Sequence, residues 1–60
     1  MKKFKVTIEV NGGEYEQSMY ITANEVIFDE STKKYTQYYG ILVDGLSIKF
    51  PCVVYDIIEA

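Results

Sequence analysis

Phe4, Val6, Ile8 and Val10 alternate with Lys3, Lys5, Thr7 and Glu9. A period of two belongs to an extended strand with one buried face, because successive side chains of a strand point to opposite sides. Asn11-Gly12-Gly13 follows, a run that tolerates positive φ and predicts a hairpin turn. The parity of that loop decides which face of the returning strand is buried. A loop of two or four residues puts Tyr15, Gln17, Met19 and Ile21 on the Val6 and Ile8 face, whereas a three-residue loop puts Glu14, Glu16 and Ser18 there. Burying two carboxylates is expensive, so an even loop is predicted.

Ala23-Asn24 breaks the alternation. Thr22 and Glu25 have the spacing of a helix capping box. The run behind them, Val26, Ile27 and Phe28, is β-branched and aromatic, and Ser31-Thr32-Lys33-Lys34 follows closely. A strand at about residues 25–30 and then a turn is the better reading. Residues 35–43 form the longest strand candidate, and Asp44-Gly45 is a strong hairpin signal. A two-residue loop there sets Val43 against Leu46, Ile41 against Ile48 and Tyr39 against Phe50. Leu42, Gly40, Tyr38 and Thr36 then share the other face with Ser47, Lys49 and Pro51.

Pro51 cannot donate to a ladder, so the strand is expected to stop or bulge there. Cys52, Val53, Val54 and Tyr55 would turn into a closing strand through Ile57 and Ile58. A strand, Phe-Pro, one turn and a short apolar strand resemble the closing segment of SH3-like barrels over about ten residues. The acidic-aromatic opening and the tryptophan of true SH3 domains are missing, so the resemblance implies a fold and no ligand. The fold class expected for residues 1–60 is therefore all-β in one domain. It has five or six short antiparallel strands in hairpins, as an open meander or a small SH3-like barrel. The expected core is Phe4, Val6, Ile8, Met19, Ile21, Phe28, Ile41, Val43, Leu46, Ile48, Phe50 and Val54. Such a core supplies a few kcal/mol at best (~3–5).

Composition narrows the chemistry. The chain has six Lys, no Arg, no His, no Trp, one Cys, six Tyr and a net charge of -3. A chain without His excludes His-dependent catalysis and zinc fingers, and one Cys excludes an internal disulfide. No run approaches the ~18 apolar residues of a membrane helix. Met1-Lys2-Lys3 leads into an alternating segment, not the apolar block of a secretory signal. These features predict a reducing, cytoplasmic setting with no membrane contact.

Candidate reactive groups all have ordinary explanations. A nucleophilic Cys needs a nearby cation, His or helix N-terminus to lower its pKa, whereas Cys52 sits among apolar neighbours. Glu14 and Glu16 flank Tyr15 on an outward face, Asp29 and Glu30 enter a turn, and Asp44 is accounted for by turn chemistry. No loop offers the several oxygen ligands of a hard-cation site, so neither a metal nor a cofactor is expected. Glu9 falls opposite Glu14 or Glu16, a like-charge pair that a basic partner would relieve.

The surplus is in tyrosine. Parity sends Tyr15 and Tyr39 to the core face. Tyr20 goes to the opposite face beside Lys3 or Lys5, and Tyr38 shares an outer face with Leu42. Outward Tyr is enriched at protein interfaces. The expectation is a non-enzymatic protein-binding module, with Tyr20, Tyr38 and Leu42 as anchors and Glu14 and Glu16 toward a basic partner. Its size, and residue usage of the kind an AT-rich genome gives, suggest a small phage or mobile-element protein that inhibits or modulates a host protein. The shortage of core also predicts a homo-oligomer. The alternative is a small β-barrel that binds single-stranded nucleic acid through Lys and Tyr; nine acids and no Arg disfavour it.

Overall fold

A computed structural model describes all sixty residues, Met1–Ala60. Its strands are β1 (Lys2–Val10), β2 (Tyr15–Ala23), β3 (Val26–Phe28), β4 (Tyr38–Val43) and β5 (Leu46–Glu59), with a 3-10 turn at Glu30–Thr32. They form one antiparallel sheet in the order β2-β1-β5-β4-β3. The fold is all-β and the sheet is open, so the barrel closure implied by the SH3-like resemblance does not occur.

The β1–β2 hairpin follows the predicted parity. Residues 11–14 form its loop, with Asn11, Gly12 and Gly13 at φ of 58°, 68° and 92°. The register then runs unbroken from Val10 opposite Tyr15 to Lys2 opposite Ala23. Tyr15 has the predicted parity yet is exposed, because β5 pairs with β1 only as far as Ile8 and the hairpin tip extends past it.

The second hairpin also turns where expected, at Asp44 and Gly45 (φ 48° and 84°), with Val43 opposite Leu46 and Ile41 opposite Ile48. Its predicted register fails at Tyr39 and Phe50. Gly40 faces Lys49 but Tyr38 faces Val54, so residues 50–53 of β5 bulge against Tyr39. Pro51 lies inside this bulge, where the ladder does not need the N–H it lacks. The strand therefore bends and continues, and no turn separates Cys52 from Ile57.

Beyond the bend β5 leaves β4 and pairs with β1, from Ile8 opposite Val54 to Phe4 opposite Glu59. A second register shift falls between Thr7 and Ile8. One strand thus serves two ribbons, and its bend curls the sheet over its inner face. The molecule measures 32 × 23 × 15 Å. Facing sheet layers pack about 10 Å apart, so 15 Å is the thickness of a folded-over sheet.

Phe4, Val6, Ala23, Val26, Ile41 and Val54 are buried together, with Ile8, Met19, Ile21, Phe28, Val43, Phe50 and Ile57 packed against them. Leu46 and Ile48 do not belong to this core. Leu46 is 67% exposed at the β4–β5 hairpin tip, where nothing covers the inner face. Ala23 and Val26 take their place because Asn24-Glu25, the short link from β2 to β3, draws the two sheet edges together at that end.

Asp44 holds this corner. Its carboxylate accepts the N–H groups of Asn24 (3.0 Å) and Glu25 (2.8 Å), and its own N–H donates to the Glu25 carbonyl (2.9 Å). Thr22 and Glu25 therefore cap no helix. The third strand is only Val26–Phe28. β4 starts late, at Tyr38, because residues 34–37 form a tight turn. Lys34 and Gln37 exchange backbone bonds across it (2.7 and 2.9 Å), and Tyr35 stands at φ 57°. The longest strand is β5, not residues 35–43.

Candidate functional site

The outer face of β2, β1 and the second half of β5 brings together exposed aromatic and aliphatic side chains from non-neighbouring parts of the chain. Pairing puts Tyr20, Lys5 and Ile58 in one row, then Ser18, Thr7 and Asp56 in the next, with Glu16 and Glu9 beyond. Tyr20 is 59% exposed and Ile58 51%. Thr7, at the centre of the second row, is buried, with its Oγ1 3.3 Å from Ser18 Oγ.

Charge is graded along this face. Lys3 and Lys5 occupy one end; Glu9 and Glu16, with Glu14 in the loop beside them, occupy the hairpin end. Lys2 pairs with Glu59 at 3.8 Å, an exposed contact that contributes little. The Lys3 ammonium stands 4.8 Å above the Tyr20 ring, a cation–π contact reaching from β1 onto β2. The predicted clash of Glu9 with Glu16 exists, since they are cross-strand partners. It is relieved from within: the Tyr55 hydroxyl donates to Glu9 Oε2 (3.3 Å). Burial, then the neighbouring Glu9 charge, push the Tyr55 phenol above its ordinary range, so it stays a neutral donor.

The other expected anchors lie elsewhere. Tyr38 and Leu42 do not share an outer face, because the register shift between Tyr38 and Gly40 reverses parity. Tyr38 is half-buried, stacked on Phe28 with ring centroids 4.5 Å apart, and its hydroxyl donates to Glu30 (2.5 Å). Leu42 is half-buried between Ile27 and Ser47 on the outer face of the other ribbon. Glu14 lies in the hairpin loop and accepts a bond from Asn11 Nδ2 (3.0 Å). Only Tyr20 and Glu16 share a strand face, with Glu14 at its end. Ile58 and Tyr55 were missed because the pairing of β1 with β5 leaves no local mark in the sequence.

A polar cluster sits where β3 ends. Asp29 is buried, and its carboxylate accepts from Ser47 Oγ (2.6 Å), Ser31 Oγ (2.7 Å) and the Ser31 N–H (3.0 Å). The Ser47 bond, then Ser31, hold its pKa below the ordinary carboxylate range. Thr32 Oγ1 donates to the Asp29 carbonyl (2.7 Å) and accepts the Tyr39 N–H (3.2 Å). Every buried side-chain polar atom in the chain has a partner, which marks this cluster as a staple for the corner. Cys52 is free and half-buried. No three Asp, Glu or Cys side chains converge, and no helix is long and apolar enough to cross a membrane.

The fold and this face define a small all-β domain with an open, curled five-stranded sheet and a graded outer surface. Compared with protein-family models, with curated proteins and with solved structures, the chain matches nothing.

Proposed function

We propose that this chain is a non-enzymatic protein-binding module, of the kind by which small phage or mobile-element proteins inhibit or modulate a host protein. The observation that carries this reading is the row Tyr20–Lys5–Ile58, two exposed apolar side chains around a lysine stem on a sheet face. Tyr is rigid and amphipathic, and such residues anchor interfaces. Glu14 and Glu16 at the end of the face suit a partner with a basic patch.

The test is affinity capture from host extract with wild type, with Tyr20→Ser/Ile58→Ser and with Leu42→Ser. Loss of a specific partner in the double variant alone supports the face. Retention of that partner by the double variant sinks it. Binding to single-stranded nucleic acid is the second reading. Its support is weaker, because Lys3, Lys33 and Lys34 already cover the rings of Tyr20, Tyr38 and Tyr39 at 4.8–5.4 Å. Salt-sensitive retention on an oligonucleotide column would reverse that order.

A further inference from the structure

We propose that the free edge of β2 pairs antiparallel with β2 of a second copy, about a two-fold axis normal to the sheet, joining two five-stranded sheets into one. This uses the backbone edge, with Glu16, Tyr20 and Lys3 along the rim of the outer face beside the join, and stands whether or not a host protein is bound. The sheet has two edges, β2 and β3. The third strand offers three residues and runs straight into the Asp29 turn. The second offers nine, aligned on β1 without a register shift.

Natural edges are commonly blunted by Pro, by Lys, by a bulge or by a covering segment. The sequence YEQSMYITA contains neither Pro nor Lys, its pairing with β1 has no bulge, and no strand lies on its outer side. Total exposure does not account for this. The surface area is 4084 Å², and about 4,000 Å² is normal for a monomer of this mass. The unmet requirement is local, in the N–H and C=O groups of one strand.

Charge selects the occupant and its direction. Glu16 lies near one end of the edge. Lys3, drawn over the Tyr20 ring, puts its ammonium near the other. With Ser18 or Met19 on the axis, Glu16 of each copy lies opposite Tyr20 or Thr22 of the other, beside Lys3, and the two-fold makes this contact twice. A parallel copy would set Glu16 against Glu16. Met19 and Ile21, half-buried in one copy, extend their inner face across the join.

The test is sedimentation equilibrium from micromolar to millimolar protein, with reductant present to exclude Cys52 disulfides. A reversible dimer is expected, weakened by added salt. Ser18→Lys sets like charges at the axis and should raise the dissociation constant at least ~10-fold. Glu16→Lys should weaken the dimer as well, and adding Lys3→Glu should restore it. Amide hydrogen exchange gives a readout independent of variant folding: alternate β2 amides of the wild type should gain protection as concentration rises. A monomer at millimolar concentration overturns the proposal, including one whose β2 pairs only with a foreign strand. So does a dimer that survives Ser18→Lys with its β2 amides unprotected.

Discussion

The two edges of the sheet are finished in opposite ways. At β3, polar side chains surround three strand residues: Asp44 clamps the entry, and Asp29, Ser31, Thr32 and Ser47 knit the exit. At β2, nine residues hold to β1 by the ladder, with one side-chain hydrogen bond, Thr7 to Ser18, and the Lys3–Tyr20 cation–π contact across it. The difference follows from geometry. The chain must cross from one sheet edge to the other where β2 passes to β3, and that crossing takes backbone groups out of the ladder, so side chains must satisfy them. A straight edge needs no such help and remains available.

Asp44→Ala should be the severest way to break this contrast. It strips the Asn24 and Glu25 N–H groups of their acceptor and leaves Ala at φ 48°. We expect a loss of roughly 2–3 kcal/mol in urea unfolding. Asp44→Gly keeps the backbone and removes only the carboxylate, so it should cost about 1 kcal/mol less. If Asp44→Ala costs no more than Ser18→Ala, the corner is not what holds the sheet.

Gly40→Ala comes next. An added Cβ would lie 2.8 Å from Thr32 Cγ2 and 3.0 Å from the Ile48 carbonyl, because the 3-10 turn lies directly on that face. The expected loss is about 1–3 kcal/mol. Thr32→Ser in the same chain should recover part of it, since it removes Cγ2 and keeps the hydroxyl bonds.

Acid should separate the edges more gently. Asp29 ionises below the ordinary carboxylate range in the fold, chiefly because Ser47 bonds it. Its stabilisation is therefore complete above the unfolded carboxyl value of about 4 and is lost as pH falls through the lower folded value. Amide exchange at low pH should open the β3 corner before the β1–β2 hairpin, and Asp29→Asn should flatten that pH dependence. At the alkaline end, Tyr38 is raised, chiefly by its bond to Glu30. Its contribution is complete below about pH 10 and disappears as pH rises further. The smallest effect belongs to the bare edge: Ser18→Lys in dilute protein should cost only the Thr7 to Ser18 hydroxyl bond, about 1 kcal/mol.

What could be read in the sequence was local. The Asn-Gly-Gly and Asp-Gly turns fixed two hairpins, and alternation fixed which faces Phe4, Val6 and Met19 occupy. Tyr38 defeated the same reasoning, since parity counts only until a bulge, and Pro51 signalled an irregularity without its size. Asp44 was read as a turn residue when its carboxylate also reaches across to another loop. Half of the candidate face was hidden for a related reason: Ile58 and Tyr55 join Tyr20 only through β1·β5 pairing, which is set by the whole sheet. The 34–37 turn accounts for the positive φ of Tyr35, but nothing in the structure explains a tyrosine that is 98% exposed there.

Starting from β3 and crossing the sheet, the strands come in the order β3, β4, β5, β1, β2, which is a plain meander begun in its middle. The one adjacent pair without a loop is β5 with β1, where the Ala60 N–H lies 2.8 Å from the Lys3 carbonyl. The one loop without an adjacent pair is Asn24-Glu25. A circular permutant that joins the ends there and opens at Asn24-Glu25 would have every strand beside its chain neighbour. It should fold faster, as chains with local contacts do. It would also untie the two edges and leave the bend in β5 alone to hold the curl. In the native connectivity the last strand of the sheet to be synthesised must find the first, and the tether between the edges keeps the sheet curved once it has.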